Sequence, residues 1–210
     1  MADYSKLDHW SLKAQKEGYP ARSVYKLKEM DEKFGLLKPG RPLKVLDLGA
    51  APGSWSLYMF RKFKGQSSLV SIDLSPLSRN YDQGLFDKPG FCFVQGDFTH
   101  SETREAILSQ GPYDLVLSDA APATTGNRSV DTLRSLELAE NVLDYAKTTL
   151  VQGGNLAIKV FQGGETGNLL KTMQDFFQSV KSFKPRSCRP GSFETYFLGL
   201  VKKMHPGLKT

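Results

Sequence analysis

The sequence predicts an α/β protein built on an open, doubly wound and mostly parallel β-sheet. Short apolar runs rich in Val, Ile, Leu or Phe alternate with longer amphipathic stretches along the chain, without an internal repeat. Parallel strands need long crossovers, and helical crossovers cover both faces of the sheet. The 210 residues suit one domain. We assign residues 1–42 to a basic, helical N-terminal extension and residues 43–202 to the core.

Seven strands are expected, and the last of them should run antiparallel. Six are predicted at Leu43–Leu48, Leu69–Asp73, Phe91–Gln95, Leu115–Ser118, Asn155–Phe161 and Thr195–Val201, and Ser182–Arg186 is a candidate for a further short strand. The final strand follows its predecessor after a short connection through Pro190 and Gly191. Since no helical crossover fits in that connection, the last pair should be antiparallel.

Helices are predicted between these strands and before the first one. The candidates are Ser23–Phe34, Ser54–Phe63, Ser101–Leu108, Val130–Leu150 and Thr166–Ser179. In the longest, apolar residues from Leu133 to Leu150 recur at steps of three and four, which predicts one buried face before Gly153 and Gly154. In the first, Val24, Leu27 and Met30 share one face, so Lys26 can point elsewhere.

The charge balance favours a polyanionic partner. Lys and Arg total 28 against 22 Asp and Glu, a net charge of +6, and basic surfaces bind nucleic acid through phosphate contacts. The basic residues form two groups: Lys6, Lys13, Lys16, Arg22, Lys26 and Lys28, then Lys181, Lys184, Arg186 and Arg189. Either group alone could be a solvated face. Together, beside candidate catalytic residues, they favour RNA.

Other features argue against metal binding and membrane insertion. Cys92 and Cys188 lack metal-ligand or redox spacing, and the three histidines are scattered, so no metal is expected. The N-terminus lacks an apolar signal core, and no run of about eighteen apolar residues could span a bilayer. We therefore expect a cytoplasmic protein, and nothing suggests an obligate dimer, so a monomer is expected.

A glycine-rich loop follows the first strand, in Asp47-Leu-Gly-Ala-Ala-Pro-Gly-Ser-Trp55. Gly49 and Gly53 are four residues apart, whereas NAD and FAD enzymes need G-x-G-x-x-G for the pyrophosphate. An adenosyl ligand without phosphate, S-adenosylmethionine, fits this loop better. Trp55 either covers that ligand or belongs to the core.

Two carboxylates support the same ligand. Asp73 closes the second strand and could accept hydrogen bonds from the ribose hydroxyls, while Asp97, after the third strand, could accept from the adenine amino group. Either could instead cap the helix that follows its strand. The glycine loop, Asp73 and Asp97 follow three successive strands in order, which favours a ligand-binding role over helix capping.

Four ionisable residues suggest a proton-handling site. They are Lys26 in RSVYKL, Asp119 in LSDAAP, Lys159 in AIKVFQG and Glu194 in SFETYF. Lys159 lies in a strongly apolar strand and is the candidate base, with Asp119 orienting it. Alone, Lys159 could be an edge-strand lysine, Asp119 a helix cap, and the other two ordinary surface charges.

Together these segments resemble the FtsJ/RrmJ family of RNA ribose 2'-O-methyltransferases, from residues 13–19 through residues 192–196. The resemblance implies a Rossmann-like S-adenosylmethionine-dependent methyltransferase fold. It also implies a catalytic tetrad, here Lys26, Asp119, Lys159 and Glu194. The cofactor pocket it implies comprises Gly49, Gly53, Trp55, Asp73, Asp97 and Asp119. Ser54 departs from the family, whose bacterial members usually carry a second glycine there.

The expected reaction is methylation of a ribose 2'-hydroxyl in RNA. The small size resembles the bacterial branch that modifies a uridine in 23S-type ribosomal RNA of the large subunit. Relatives acting on tRNA anticodon loops or mRNA caps share the tetrad, so those substrates remain alternatives. A non-catalytic RNA-binding module is a further alternative, although no tetrad residue is lost, and a nicotinamide-dependent oxidoreductase would need a different loop.

Overall fold

A computed structural model describes residues 8–37, 40–163 and 166–204. Its seven-stranded sheet has the order β3-β2-β1-β4-β5-β7-β6. The strands are β1 (Lys44–Leu48), β2 (Ser68–Asp73), β3 (Phe91–Gln95), β4 (Tyr113–Ser118), β5 (Leu150–Phe161), β6 (Phe177–Phe183) and β7 (Glu194–Lys202). Strands β1 to β5 are parallel, and β7 runs antiparallel to both of its neighbours. The predicted fold class is confirmed.

Helices cover both faces of this sheet. They are α1 (His9–Lys16), α2 (Val24–Phe34), α3 (Ser54–Lys62), α4 (Ser101–Ser109), α5 (Arg128–Thr149) and α6 (Thr166–Phe176), with a short 3-10 helix at Leu85–Asp87. One buried cluster joins the sheet to α1, α2 and α3, and a second joins its other face to α4, α5 and α6. In the part of the chain described, no helix is long and apolar enough to cross a membrane.

The N-terminal helices are part of the first of these two cores. Val24, Leu27 and Met30 are fully buried, as their spacing predicts. Two further contacts bind this segment to α3. The Trp55 indole N–H donates to the Ser23 carbonyl at 2.8 Å, and the Ser54 hydroxyl accepts from the Ala21 N–H at 2.9 Å. The serine that departs from the family pattern thus holds the N-terminal extension. Lys6 and His205 lie outside the described residues.

Several predicted boundaries are wrong, among them the start of the fifth strand, which was predicted at Asn155 and lies at Leu150. The helix predicted to reach Ser179 ends at Phe176, because Phe177 already pairs with Lys202 in the sheet; the short strand predicted at Ser182–Arg186 therefore lies at Phe177–Phe183. The buried face of α5 was also predicted to begin at Leu133, but that side chain is 58% exposed. Helical spacing fixes a face but not how far that face extends over the sheet.

Strands β1 and β4 are neighbours in the sheet, and the strand order runs in opposite directions from this pair. The position between them is the topological switch point of the sheet. Chain segments leave the carboxyl ends of these two strands in opposite directions, and such crevices bind ligands in open α/β sheets. Gly49 follows β1 and Asp119 follows β4. The fold therefore brings the glycine loop and one tetrad residue to the same crevice.

Candidate active site

Both glycines of the loop are required by backbone geometry. Gly49 has φ +77°, and a Cβ there would lie 2.6 Å from the Ala120 backbone, too close for any side chain. Gly53 has φ +104° at the start of α3, and a Cβ there would meet the Phe86 ring at 2.9 Å. Glycine tolerates such angles without steric cost. The loop can therefore approach β4 and still turn into α3.

A cavity of about 410 Å³, the loop cavity, opens beside Gly49 at the switch point. Asp73, Asp97 and Asp119 all line it. Asp73 accepts from the Ala51 N–H at 2.9 Å and from the Ser75 N–H at 2.8 Å, which fixes the carboxylate at the rim. Three carboxylates from three successive strand ends thus face one space.

Asp97 does not cap the helix that follows it. Its Oδ1 accepts from the Thr99 N–H at 2.8 Å, whereas the N-cap of α4 is His100. Burial opposes ionisation of Asp97, but the hydrogen bonds from Thr99 and the nearby His100 outweigh it and lower its pKa. The carboxylate remains an acceptor at neutral pH.

Trp55 and Gly53 lie outside the lining of the loop cavity. The Trp55 side chain is 2% exposed and packs 6.1 Å from the Tyr196 ring. Of the two possibilities left open by the sequence, the structure places the indole in the core. Gly53 contributes through its positive φ, which allows the loop to turn into α3.

The four predicted catalytic residues lie together, and both lysines approach one atom, Asp119 Oδ1. Lys159 Nζ lies 3.1 Å from it and Lys26 Nζ 3.8 Å from it. Lys159 also donates to the Asp119 backbone carbonyl. Glu194 completes the group, with Oε1 3.0 Å from Lys26 Nζ. Two lysine amines and two carboxyl groups therefore form one connected tetrad.

Sheet register explains why these residues meet. Ser118 pairs with Ile158, so Asp119 leaves β4 beside Lys159. Glu194 pairs with Phe161 at the carboxyl end of β5. Ala157 lies in the buried cluster that also contains α2, and side chains two residues apart share a face, so Lys159 points toward the helix that carries Lys26.

Burial and mutual contact set the charge states of Lys26 and Asp119. Burial opposes the charge on Lys26, but the carboxylates of Asp119 and Glu194 outweigh it and raise its pKa. Burial likewise opposes ionisation of Asp119, yet Lys159, Lys26 and the Tyr196 hydroxyl together lower its pKa. Lys26 thus stays an ammonium and Asp119 a carboxylate at neutral pH.

Tyr196 belongs to the site, although sequence reasoning did not single it out. Its hydroxyl donates to Asp119 Oδ1 at 2.5 Å, and its ring is fully buried. Burial raises its pKa well above the ordinary value, so it remains a donor. The available signal was the strand period of two, which places Tyr196 on the same face as Glu194.

Asp47 is a second residue that the sequence did not flag. It is 1% exposed, and its Oδ2 accepts from the Ser56 hydroxyl at 2.8 Å. Burial raises its pKa to about 7, although the Ser56 hydrogen bond opposes that rise. Asp47 is a buried carboxyl under the glycine loop, whereas the tetrad carboxylates are paired with cations.

A second cavity of about 650 Å³, the outer cavity, lies on the other side of the tetrad. Lys26 and Glu194 line it, whereas Asp119 lines the loop cavity. Arg22 and Arg189, one from each basic group of the sequence, lie at the outer cavity as well. The tetrad therefore lies between two spaces, one of them bordered by arginines.

Contacts between the N-terminal helices and the β6–β7 loop bring the two basic groups together. Arg22 donates to the Ser187 carbonyl. The Glu29 carboxylate accepts from the backbone N–H groups of Arg186 and Ser187, at 2.7 and 2.9 Å. These contacts join segments more than 150 residues apart. In the described ranges, no cluster of three His, Cys, Asp or Glu side chains could hold a metal ion.

The family model for FtsJ-like methyltransferases matches residues 19–202. The chain belongs to the FtsJ-like methyltransferase family. It is 48% identical, over 94% of its length and 96% of the relative, to ribosomal RNA large subunit methyltransferase E of Treponema denticola. The enzyme of that name from Borreliella afzelii is 46% identical over 91% of this chain and 96% of its own length. The family resemblance read from the sequence is confirmed.

Solved structures agree with this membership. A structure from Plasmodium falciparum described as a ribosomal RNA methyltransferase superposes with a TM-score of 0.71 at 28% identity, covering 88% of this chain and 98% of that one. Human methyltransferase-like protein 13 in complex with SAH gives a TM-score of 0.54 at 15% identity, covering 98% of this chain and 86% of that one. The second likeness concerns the fold alone.

Proposed function

We propose that this methyltransferase uses S-adenosylmethionine to methylate a ribose 2'-hydroxyl in RNA, and that its target is a uridine in large-subunit, 23S-type ribosomal RNA. One observation carries the proposal: the tetrad of Lys26, Asp119, Lys159 and Glu194 lies between the loop cavity and the outer cavity. A site that transfers a group between two bound molecules needs a space for each, with the reacting atoms meeting between them.

The loop cavity suits an adenosyl ligand. Its lining offers carboxylate acceptors for hydroxyl and amino groups, and Gly49 lets the loop pack directly against the Ala120 backbone at the cavity wall. Its volume lies in the range of small-ligand sites. Gly49, Asp73 and Asp97 would hold the adenosine part, and Asp119 would face the sulfonium. When bound, S-adenosylmethionine supplies an electrophilic methyl group.

The tetrad supplies the proton chemistry. Lys159 acts as the general base that takes the proton of the 2'-hydroxyl, and the Asp119 carboxylate holds the Lys159 amine in position. Lys26 remains an ammonium and stabilises the negative charge that develops on the oxygen. Glu194 orients Lys26 through its contact at 3.0 Å. Lys26 and Glu194 together hold the ribose at the mouth of the outer cavity.

The substrate assignment is supported by the relatives and by charge. The relatives at 46% and 48% identity carry the name ribosomal RNA large subunit methyltransferase E. Both basic groups contribute an arginine to the outer cavity, and such groups contact phosphates. Contacts from arginines to phosphates are compatible with an enzyme that recognises the shape and the backbone of its RNA. A tRNA or capped mRNA substrate is the competing outcome of the test below.

Lys159→Ala should abolish methyl transfer while cofactor affinity stays nearly unchanged. Labelled S-adenosylmethionine is incubated with separated pools of ribosomal subunits, rRNA, tRNA and capped mRNA, the labelled nucleotide is mapped, and calorimetry measures cofactor binding. We expect label at a large-subunit uridine with the wild type and none with the variant. Lys159→Met, which keeps the buried stem, guards against a folding defect.

The matched control is Lys171→Ala, which removes an exposed lysine on α6 and should leave the rate unchanged. Full activity of both Lys159 variants would refute the assignment of the base. Label confined to tRNA or capped mRNA would overturn the substrate. RNA binding without any turnover by the wild type would revive the non-catalytic alternative.

A further inference from the structure

The wall of the outer cavity carries two aromatic rings that the methyl-transfer chemistry does not use. Phe161 and Phe193 both line it. Their ring centroids are 4.7 Å apart with planes inclined at 64°, an edge-to-face pair. Phe161 is 8% exposed and forms the buried partner, whereas Phe193 is only half-buried. The pair holds the Phe193 ring in place and leaves part of it accessible.

Phe193 lies next to the part of the site that holds the ribose. It immediately precedes Glu194, which contacts Lys26 at 3.0 Å, and Phe161 pairs with Glu194 across the sheet. In a nucleoside the base is bonded to the sugar carbon adjacent to the one that carries the 2'-oxygen. A ribose held at Lys26 and Glu194 therefore has its base within reach of the neighbouring ring.

One cationic group lies over this ring, and two more line the same cavity. The Arg128 guanidinium carbon lies 5.4 Å from the Phe193 ring centroid, and Arg22 and Arg189 line the same cavity. An aromatic platform bordered by cations is the usual arrangement for single-stranded nucleic acid, where bases stack on rings and phosphates meet arginines. Every nucleobase has a π-face, so such a platform contributes affinity without selecting the base.

We propose that Phe193, braced by Phe161, is the platform on which the base of the target nucleotide stacks. This inference rests on the proposed function and specifies how the substrate is held at that site. The target nucleotide leaves its own stack and enters the outer cavity, its base meets Phe193, and its 2'-hydroxyl faces the tetrad. Phe193 positions the substrate and takes no part in the chemical step.

The test compares Phe193→Leu with Phe193→Tyr on the RNA that the wild type methylates. Loss of a base-stacking ring should raise KM for RNA roughly tenfold in Phe193→Leu, with kcat and cofactor affinity nearly unchanged. Phe193→Tyr keeps the ring face and should restore KM. The matched control is Phe183→Leu, which removes a ring packed on Phe34 and should leave KM unchanged.

The outcomes separate the two proposals. If the wild type methylates no RNA, the proposed function fails, and the platform fails with it. If the wild type methylates RNA but Phe193→Leu keeps its KM, only the platform is wrong. A fall in melting temperature and cofactor affinity that Phe193→Tyr does not rescue would assign Phe193 to packing alone and overturn the inference.

Discussion

Asp119 Oδ1 is the atom on which the site is organised. One hydroxyl and two amines from three elements approach it: the Tyr196 hydroxyl donates at 2.5 Å, and the amines of Lys159 and Lys26 lie at 3.1 and 3.8 Å. A half-buried carboxylate surrounded in this way keeps its charge, because these groups offset the cost of removing it from water. The precision of the site thus depends on the hydroxyl of Tyr196 as well as on the tetrad.

Tyr196→Phe should lower kcat and shift its pH dependence. The change removes a hydrogen bond that helps to lower the pKa of Asp119, so that pKa rises. Since the proposed chemistry needs the ionised carboxylate, activity should be lost at a higher pH as the solution is acidified. A lost hydrogen bond to a charged group costs about 1.5–3 kcal/mol, so kcat should fall roughly tenfold or more.

The measurement is the pH profile of kcat, beside calorimetric cofactor binding, which should be unchanged. Tyr145→Phe is the matched control. It removes an equally buried hydroxyl that donates to the Phe98 carbonyl at 2.5 Å on the other core. An unshifted acidic limb in Tyr196→Phe would show that Tyr196 does not position Asp119.

At the level of elements, the α5–β5 junction is held by a side chain from β7. The helix ends at Thr149 and the strand begins at Leu150, so the last carbonyls of α5 have little chain to satisfy them. Lys202 of β7 supplies the donors: its ammonium contacts the carbonyls of Ala146, Lys147 and Leu150 at 3.2, 2.6 and 2.8 Å. One side chain thus caps the helix and joins it to β7.

Lys202→Met should lower the free energy of unfolding by about 1–3 kcal/mol, because it removes hydrogen bonds from a charged donor to a helix C-terminus. Urea denaturation measures the change. Lys203→Met is the control: that neighbouring ammonium contacts a single carbonyl, of Gln174, at an exposed site, and its loss should cost no more than about 0.5 kcal/mol. Equal effects of the two substitutions would contradict the capping role.

For the whole molecule, the decisive arrangement is the docking of the N-terminal helices against the β6–β7 loop. This docking places Lys26 in the tetrad and Arg22 beside Arg189 at the outer cavity. Glu29 maintains it by accepting from two backbone N–H groups of the loop. The basic surface therefore exists only in the folded chain, assembled from two ends of the sequence.

Glu29→Ala should raise KM for RNA several-fold while cofactor binding is retained, because the loop that carries Arg189 loses its anchor on α2. Steady-state kinetics on the methylated RNA measures the effect. The control is Glu32→Ala, which removes the same charge from the same helix. It separates loss of the anchor from the gain in RNA affinity that follows when an acidic group near the RNA is removed. If both variants bind RNA more tightly than the wild type, the loss of negative charge has a larger effect on RNA binding than the loss of the Glu29 anchor.

The amino-acid sequence alone was enough to predict the fold class and the family, and both predictions are confirmed. Apolar runs specify strands through burial, and the glycine loop and the four proposed tetrad residues, Lys26, Asp119, Lys159 and Glu194, stand in recognisable motifs. These signals are local, so a linear pattern carries them. The end of α6 escaped prediction because pairing of Phe177 with Lys202 overrides helical spacing.

Which side chains contact one another at the site follows from the tertiary structure. It placed Trp55 in the core, put the Tyr196 hydroxyl on Asp119, and set Phe193 against Phe161 beside the tetrad. Each of these contacts joins residues far apart in the chain or depends on the register of β5 against β7. Register and helix docking follow from the packing of the whole core, and no local pattern contains them.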